Sequence, residues 1–132
     1  MAKIRHIAIS TEDPERMAAW YKDVFGFEEV GKSPVGVYLT DGEINFAVLR
    51  IPSREDRSKA AVEVSHFGFM VEDPEATYRK LEESGIEQLP AIAIANQYFE
   101  KKFKAPDGLT FDISEHGWPG DGASGAHGGT RP

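Results

Sequence analysis

The chain has 132 residues, enough for one domain with a single buried core and too few for two. Hydrophobic residues make up 40% and charged residues 28%, and no apolar run approaches the roughly 20 residues needed to cross a bilayer. The net charge of −7 argues against a nucleic-acid partner, and the lack of cysteine excludes disulfides and thiolate metal sites.

Residues 3–10 alternate so that Ile4, His6 and Ala8 share one side of a strand and Arg5, Ile7 and Ile9 the other. The N-terminus enters this strand without the basic region and apolar run of a signal peptide, so a cytoplasmic location is expected. Thr11 or Asp13 caps a helix with Pro14 and Glu15 in its first turn. Met17, Trp20, Tyr21, Val24 and Phe25 recur at helical spacing until Gly26 stops it. Their aromatic rings read as core, not as a stacking platform. Three strands follow at Phe27–Gly31, Val35–Thr40 and Glu43–Ile51, the last two joined by an Asp41-Gly42 hairpin turn.

The second half repeats the first. His66 is followed by Glu72-Asp73-Pro74-Glu75 at the spacing that separates His6 from Glu12-Asp13-Pro14-Glu15, so the two histidines hold one repeat position. Val62–Val71 is the strand, a helix runs through Ser84, and Gly85 stops it. Ile86–Leu89, Gln97–Ala105 and Leu109–Ser114 close the half, with Pro106-Asp107-Gly108 as the last turn. The expected fold is α+β, a single domain over residues 1–116 built from two βαβββ repeats at about 3–51 and 62–115, joined by the polar stretch Ile51–Ala61. Residues 117–132 read as a Gly/Pro-rich tail, or as a segment ordered by a partner subunit.

The doubled unit, a histidine on each first strand and the closing Pro106-Asp107-Gly108-Leu109-Thr110-Phe111-Asp112-Ile113 resemble the vicinal oxygen chelate superfamily, that of glyoxalase I, extradiol dioxygenases, methylmalonyl-CoA epimerase and the fosfomycin and bleomycin resistance proteins. The resemblance implies curved mixed sheets around a metal and substrate cavity, with ligands from the first and fourth strand of each half. Carried over by position, His6, His66 and Asp112 are the metal ligands, with Glu115 as the competing carboxylate. Alternation places Thr110, Asp112 and Ser114 on one face and Glu115 on the other. The fourth ligand position falls on Asn45 or Ala47, so a fourth protein ligand is expected to be missing.

Two histidines and one carboxylate form the facial triad favoured by Fe(II), while Mn, Zn, Co or Ni also suit these donors. The first reading is therefore an extradiol-type dioxygenase that binds a small substrate through vicinal oxygens. Lys102 stands where ring-cleaving relatives usually carry a tyrosine, and Tyr98 is the candidate substitute. His116 is a candidate proton carrier, sharing the parity of Asp112, and Lys102 shares it too. A glyoxalase I-like lyase or isomerase is the alternative, needing Glu43, Glu115 or Glu100 as base, none of them well placed by parity. A drug-sequestering protein without metal is the other, with each histidine a hydrogen-bonded structural residue. The resemblance also implies a homodimer, in which some relatives pair their halves across subunits.

Overall fold

A computed structural model describes residues 1–51, 61–90 and 100–122. The first half contains β1 (Lys3–Thr11), α1 (Pro14–Phe25), β2 (Glu28–Ser33), β3 (Gly36–Thr40) and β4 (Asn45–Arg50). The second contains β5 (Glu63–Met70), α2 (Pro74–Glu83), β6 (Glu87–Leu89), β7 (Glu100–Lys104) and β8 (Thr110–Ser114). The duplicated acidic-proline motif is helix punctuation. Asp13 caps α1 by accepting from the Arg16 amide, and Asp73 caps α2 by accepting from the Ala76 amide. Each following proline fills a position where an amide hydrogen would go unused. Gly26 ends α1 in the left-handed region at φ 75°.

The Asp41-Gly42 turn is wider than the sequence suggests. Thr40 pairs with Asn45, and the Asp41 carboxylate accepts from the amides of Glu43 and Ile44, so side-chain hydrogen bonds close a four-residue loop.

The two halves were expected to form separate curved sheets, but they join into one eight-stranded mixed sheet ordered β2-β3-β4-β1-β5-β8-β7-β6. The seam is the antiparallel pairing of β1 with β5, and backbone hydrogen bonding there leaves no free edge between the halves. Each first strand pairs in parallel with the last strand of its own half. The seam carries two bulges, one passing over Arg5 and one over Ser65, each immediately before a histidine. Bulges re-aim neighbouring side chains, and these two sit at one repeat position.

The sheet has two differently used faces. On one, Val37, Leu39 and Val48 pack against Ala18 of α1, with Tyr21, Phe27 and Phe46 at the margin. On the other, Ala8, Tyr38 and Ala47 pack against Trp118. Trp20 and Phe25, expected in the core, are exposed at 48% and 59%. In α1 only Pro14 and Ala18 are buried, and Trp20, Val24 and Phe25 lie on the exposed side of the helix. Residues 117–122, grouped with the tail on sequence, lie on this second face, with Trp118 and Asp121 buried.

Candidate metal centre

His6 and His66 are two residues apart across the seam, since His6 opposes Gly68 and Ala8 opposes His66. Their side chains converge, with the two Nε2 atoms 3.4 Å apart. Strand β8 sets Asp112 beside Gly68, which brings Asp112 Oδ2 to 3.3 Å from His66 Nε2 and 3.7 Å from His6 Nε2. One ligand atom from each of the three lies within 4.8 Å of the others.

Each donor is oriented by a neighbour. Asn45 Nδ2 donates to the Pro119 carbonyl, which fixes the amide so that Oδ1 faces His6 Nδ1 at 2.7 Å. His6 therefore carries its proton on Nδ1 and turns a lone pair on Nε2 inward. Burial, more than any other influence, lowers the His6 pKa to about 4; the Asp112 charge opposes it and His66 reinforces it. The ring is thus neutral at physiological pH, the state a metal ligand requires. His66 Nδ1 lies 2.9 Å from Ser65 Oγ, the residue of the second bulge.

Asp112 is fully buried, and Lys102 Nζ binds its Oδ1 at 2.8 Å. Burial works to raise the Asp112 pKa, but His66 and then Lys102 outweigh it and hold the carboxyl below its usual range. Oδ2, buried as well, accepts no hydrogen bond among the described residues. An ionised oxygen without a partner is costly to bury, and here it faces the His6 lone pair. Such converging electron-rich atoms fit a divalent cation, and the nitrogen and oxygen donors suit Mn, Fe, Co, Ni or Zn.

A profile of the Glyoxalase/Bleomycin resistance protein/Dioxygenase superfamily matches residues 3–113. The chain belongs to that superfamily. Among solved structures it is similar to methylmalonyl-CoA epimerase from Streptomyces coelicolor, bound to 2-nitronate-propionyl-CoA, at TM-score 0.67 and 20% identity over 84% of this chain and 94% of that one. The Mycobacterium tuberculosis methylmalonyl-CoA epimerase gives TM-score 0.65 and 16% identity over 84% and 85%. A Mn(II)-bound glyoxalase from Novosphingobium aromaticivorans gives 0.64 and 20% over 85% of this chain and 38% of that one. At these identities the likeness is one of fold. No curated protein matches the chain.

Gly68, the repeat equivalent of Ala8, lies beside Asp112 on β8, and Ala8 lies beside Ala47 on β4. Ala47 therefore holds the position equivalent to Asp112 and brings no donor atom. Asn45 belongs to the surroundings of His6, a role the strand pattern left open. Trp118 fills the adjoining space, stacked on His6 with ring centres 4.6 Å apart and planes 8° from parallel. Its indole N–H donates to Glu100, and its main-chain amide donates to Asp121.

Glu100 does share the face of Asp112, which corrects the expectation that it is poorly placed: it lies two residues from Lys102 on β7, and alternation carries both side chains to one face. In the β7–β8 register Lys102 opposes Asp112 and Glu100 opposes Ser114. Burial first, then the Asp112 charge, raise the Glu100 pKa to about 7, against the pull of Trp118 and Lys102. Glu115 and His116 are exposed and lie outside the cluster, although the His116 amide donates to Ser114 Oγ. Tyr98 falls outside the described residues. The role of Trp118 was missed in a glycine-rich context. Gly68, a glycine inside a strand, was the available sign that something approaches closely there.

The Asn45 hydrogen bond has a measurable consequence. Asn45→Ala is expected to weaken divalent-metal affinity by ~10–100-fold, the usual effect of removing an outer partner of a ligating histidine. Asn45→Asp, which still accepts from Nδ1, should recover most of that loss in a calorimetric titration. Equal affinity in all three proteins would mean that Asn45 does not orient His6.

Proposed function

We propose that this superfamily member is a divalent-metal-dependent isomerase or lyase, moving a proton at a carbon next to a carbonyl in a small substrate held through two neighbouring oxygens. The observation that carries the reading is the buried, unpartnered Asp112 Oδ2 turned toward two imidazole Nε2 atoms. His6, His66 and Asp112 would hold the cation, leaving the Ala47 corner for substrate. A bound divalent ion would act there as a Lewis acid on the two oxygens.

The chain's own groups supply the rest. Asn45 and Ser65 orient the imidazoles, and Lys102 occupies Oδ1 so that Asp112 presents a single oxygen. Trp118 covers one side of His6 and excludes water there. Glu100, with a pKa near 7, is suited to accept a proton when ionised and return it when protonated. Proton abstraction should accordingly rise with pH through about 7, because the carboxylate form is the acceptor.

Ring-cleaving oxygenation remains a second reading, favoured by the three-ligand set with alanine at the fourth corner. Against it, Lys102 lies directly across from Asp112, where those relatives usually carry a tyrosine. The donor set gives Fe(II) no advantage over Mn(II). The homodimer stays part of the proposal, supported by the exposed apolar side chains of Trp20, Val24 and Phe25 on α1.

The test is metal analysis after reconstitution with Mn(II) or Fe(II), followed by incubation in deuterated water with methylmalonyl-CoA and a series of 2-oxo acids. The expected results are one ion per chain, deuterium at the carbon next to the carbonyl, and loss of that exchange in Glu100→Gln with the metal retained. Stoichiometric oxygen uptake with a catechol, and no exchange, would establish the second reading instead.

A further inference from the structure

The metal reading leaves one charged side chain without a full set of partners. Lys102 projects from β7 on the same face as Asp112, and only 13% of its side chain is exposed. An ammonium group has three N–H donors. One goes to Asp112 Oδ1, and the others have no acceptor among the described residues. A cation this deep in the protein normally has its donors satisfied.

Charge points the same way. Lys102 Nζ lies 2.8 Å from Asp112 Oδ1, so its charge offsets that of the carboxylate and the pair brings no net negative charge to the site. A divalent ion then adds two positive charges beside a part-buried ammonium. Glu100 can offset one of them at most. A neutral diol or ketone would leave the excess in place, whereas a carboxylate would neutralise it while also supplying a second oxygen next to its own carbonyl or hydroxyl.

We propose that the substrate is a small carboxylate of the 2-oxo or 2-hydroxy acid class, and that Lys102 is the residue that selects it by receiving its carboxylate. This rests on the metal reading above. Lys102 acts here on two partners: it turns Asp112 Oδ2 toward the metal position and offers its remaining donors to the anion. A tyrosine there, uncharged at neutral pH, would not discriminate between acid and amide in this way.

The experiment uses the full chain loaded with Mn(II), titrated calorimetrically with oxalate, lactate and lactamide. The uncharged lactamide has the same two oxygens as lactate. Wild type should bind oxalate and lactate, and Lys102→Met should weaken both by ~10–100-fold, the range for losing a charge-assisted hydrogen bond. Mn(II) is supplied at a concentration that saturates each variant, lactamide affinity should fall far less than that of the two anions, and Lys102→Arg should keep most of the anion binding. Titration of Mn(II) into each variant verifies that its site is folded. Anion affinity indifferent to Lys102→Met, with Mn(II) bound, overturns the role of Lys102 and leaves the metal reading standing. Failure of wild type to bind Mn(II) overturns both.

Discussion

Asp112→Ala is expected to abolish metal uptake and to destabilise the metal-free protein, two effects with separate causes. Removing an outer partner of a ligand already costs ~10–100-fold in affinity, so removing the carboxylate ligand itself should cost roughly 100-fold or more. The stability effect comes from Lys102, whose ammonium lies 2.8 Å from Asp112 Oδ1 and would be left without a counter-charge. Breaking a buried pair on one side costs ~3–5 kcal/mol, and the partial exposure of Lys102 places the expected loss at the lower end. The double variant Asp112→Ala/Lys102→Met should regain much of the stability in urea unfolding without regaining the metal. Unimpaired metal binding in Asp112→Ala would remove the carboxylate from the site.

Trp118→Ala should cost ~3–5 kcal/mol, as expected for deleting a large, fully buried aromatic side chain. In a domain of this size that is a large share of a total stability of ~5–15 kcal/mol. The indole packs on Ala8, Tyr38 and Ala47, stacks on His6 and donates to Glu100, so its loss opens a cavity and removes a partner from a buried carboxylate. Gly68→Ala probes the same contact by addition: a methyl group there would lie 2.7 and 2.9 Å from indole carbons and 3.1 Å from the His6 Cβ. It should displace the ring and shift Trp118 fluorescence to the red, read in a Trp20→Phe background. A stability loss below about 1 kcal/mol for Trp118→Ala, with no shift for Gly68→Ala, would show that the indole is not seated against the sheet.

The doubled histidine motif separated into two unlike parts. Its acidic-proline portion could be understood from local chemistry, because a cap and a proline act within one helical turn, and Asp13 and Asp73 do so. The histidines could be paired by repeat position. Their approach to 3.4 Å depends on bulges at Arg5 and Ser65, which no periodicity reports. Parity identified the shared face of Asp112 and Lys102 correctly. The same alternation brings Glu100, two residues from Lys102, to that face, so the expectation that Glu100 is poorly placed did not hold.

The sequence by itself determined the βαβββ duplication, the helix ends, and the residue types available for a metal, because alternation, capping and turn chemistry act over a few neighbouring residues. Only the tertiary structure decided that the halves share one sheet, that Ala47 and not Asn45 is the register counterpart of Asp112, and that Trp118 packs on His6. Those outcomes follow from strand register and from contacts such as Asn45 with Pro119, 74 residues apart, where interstrand hydrogen bonds and close packing choose among arrangements that local pattern leaves equal.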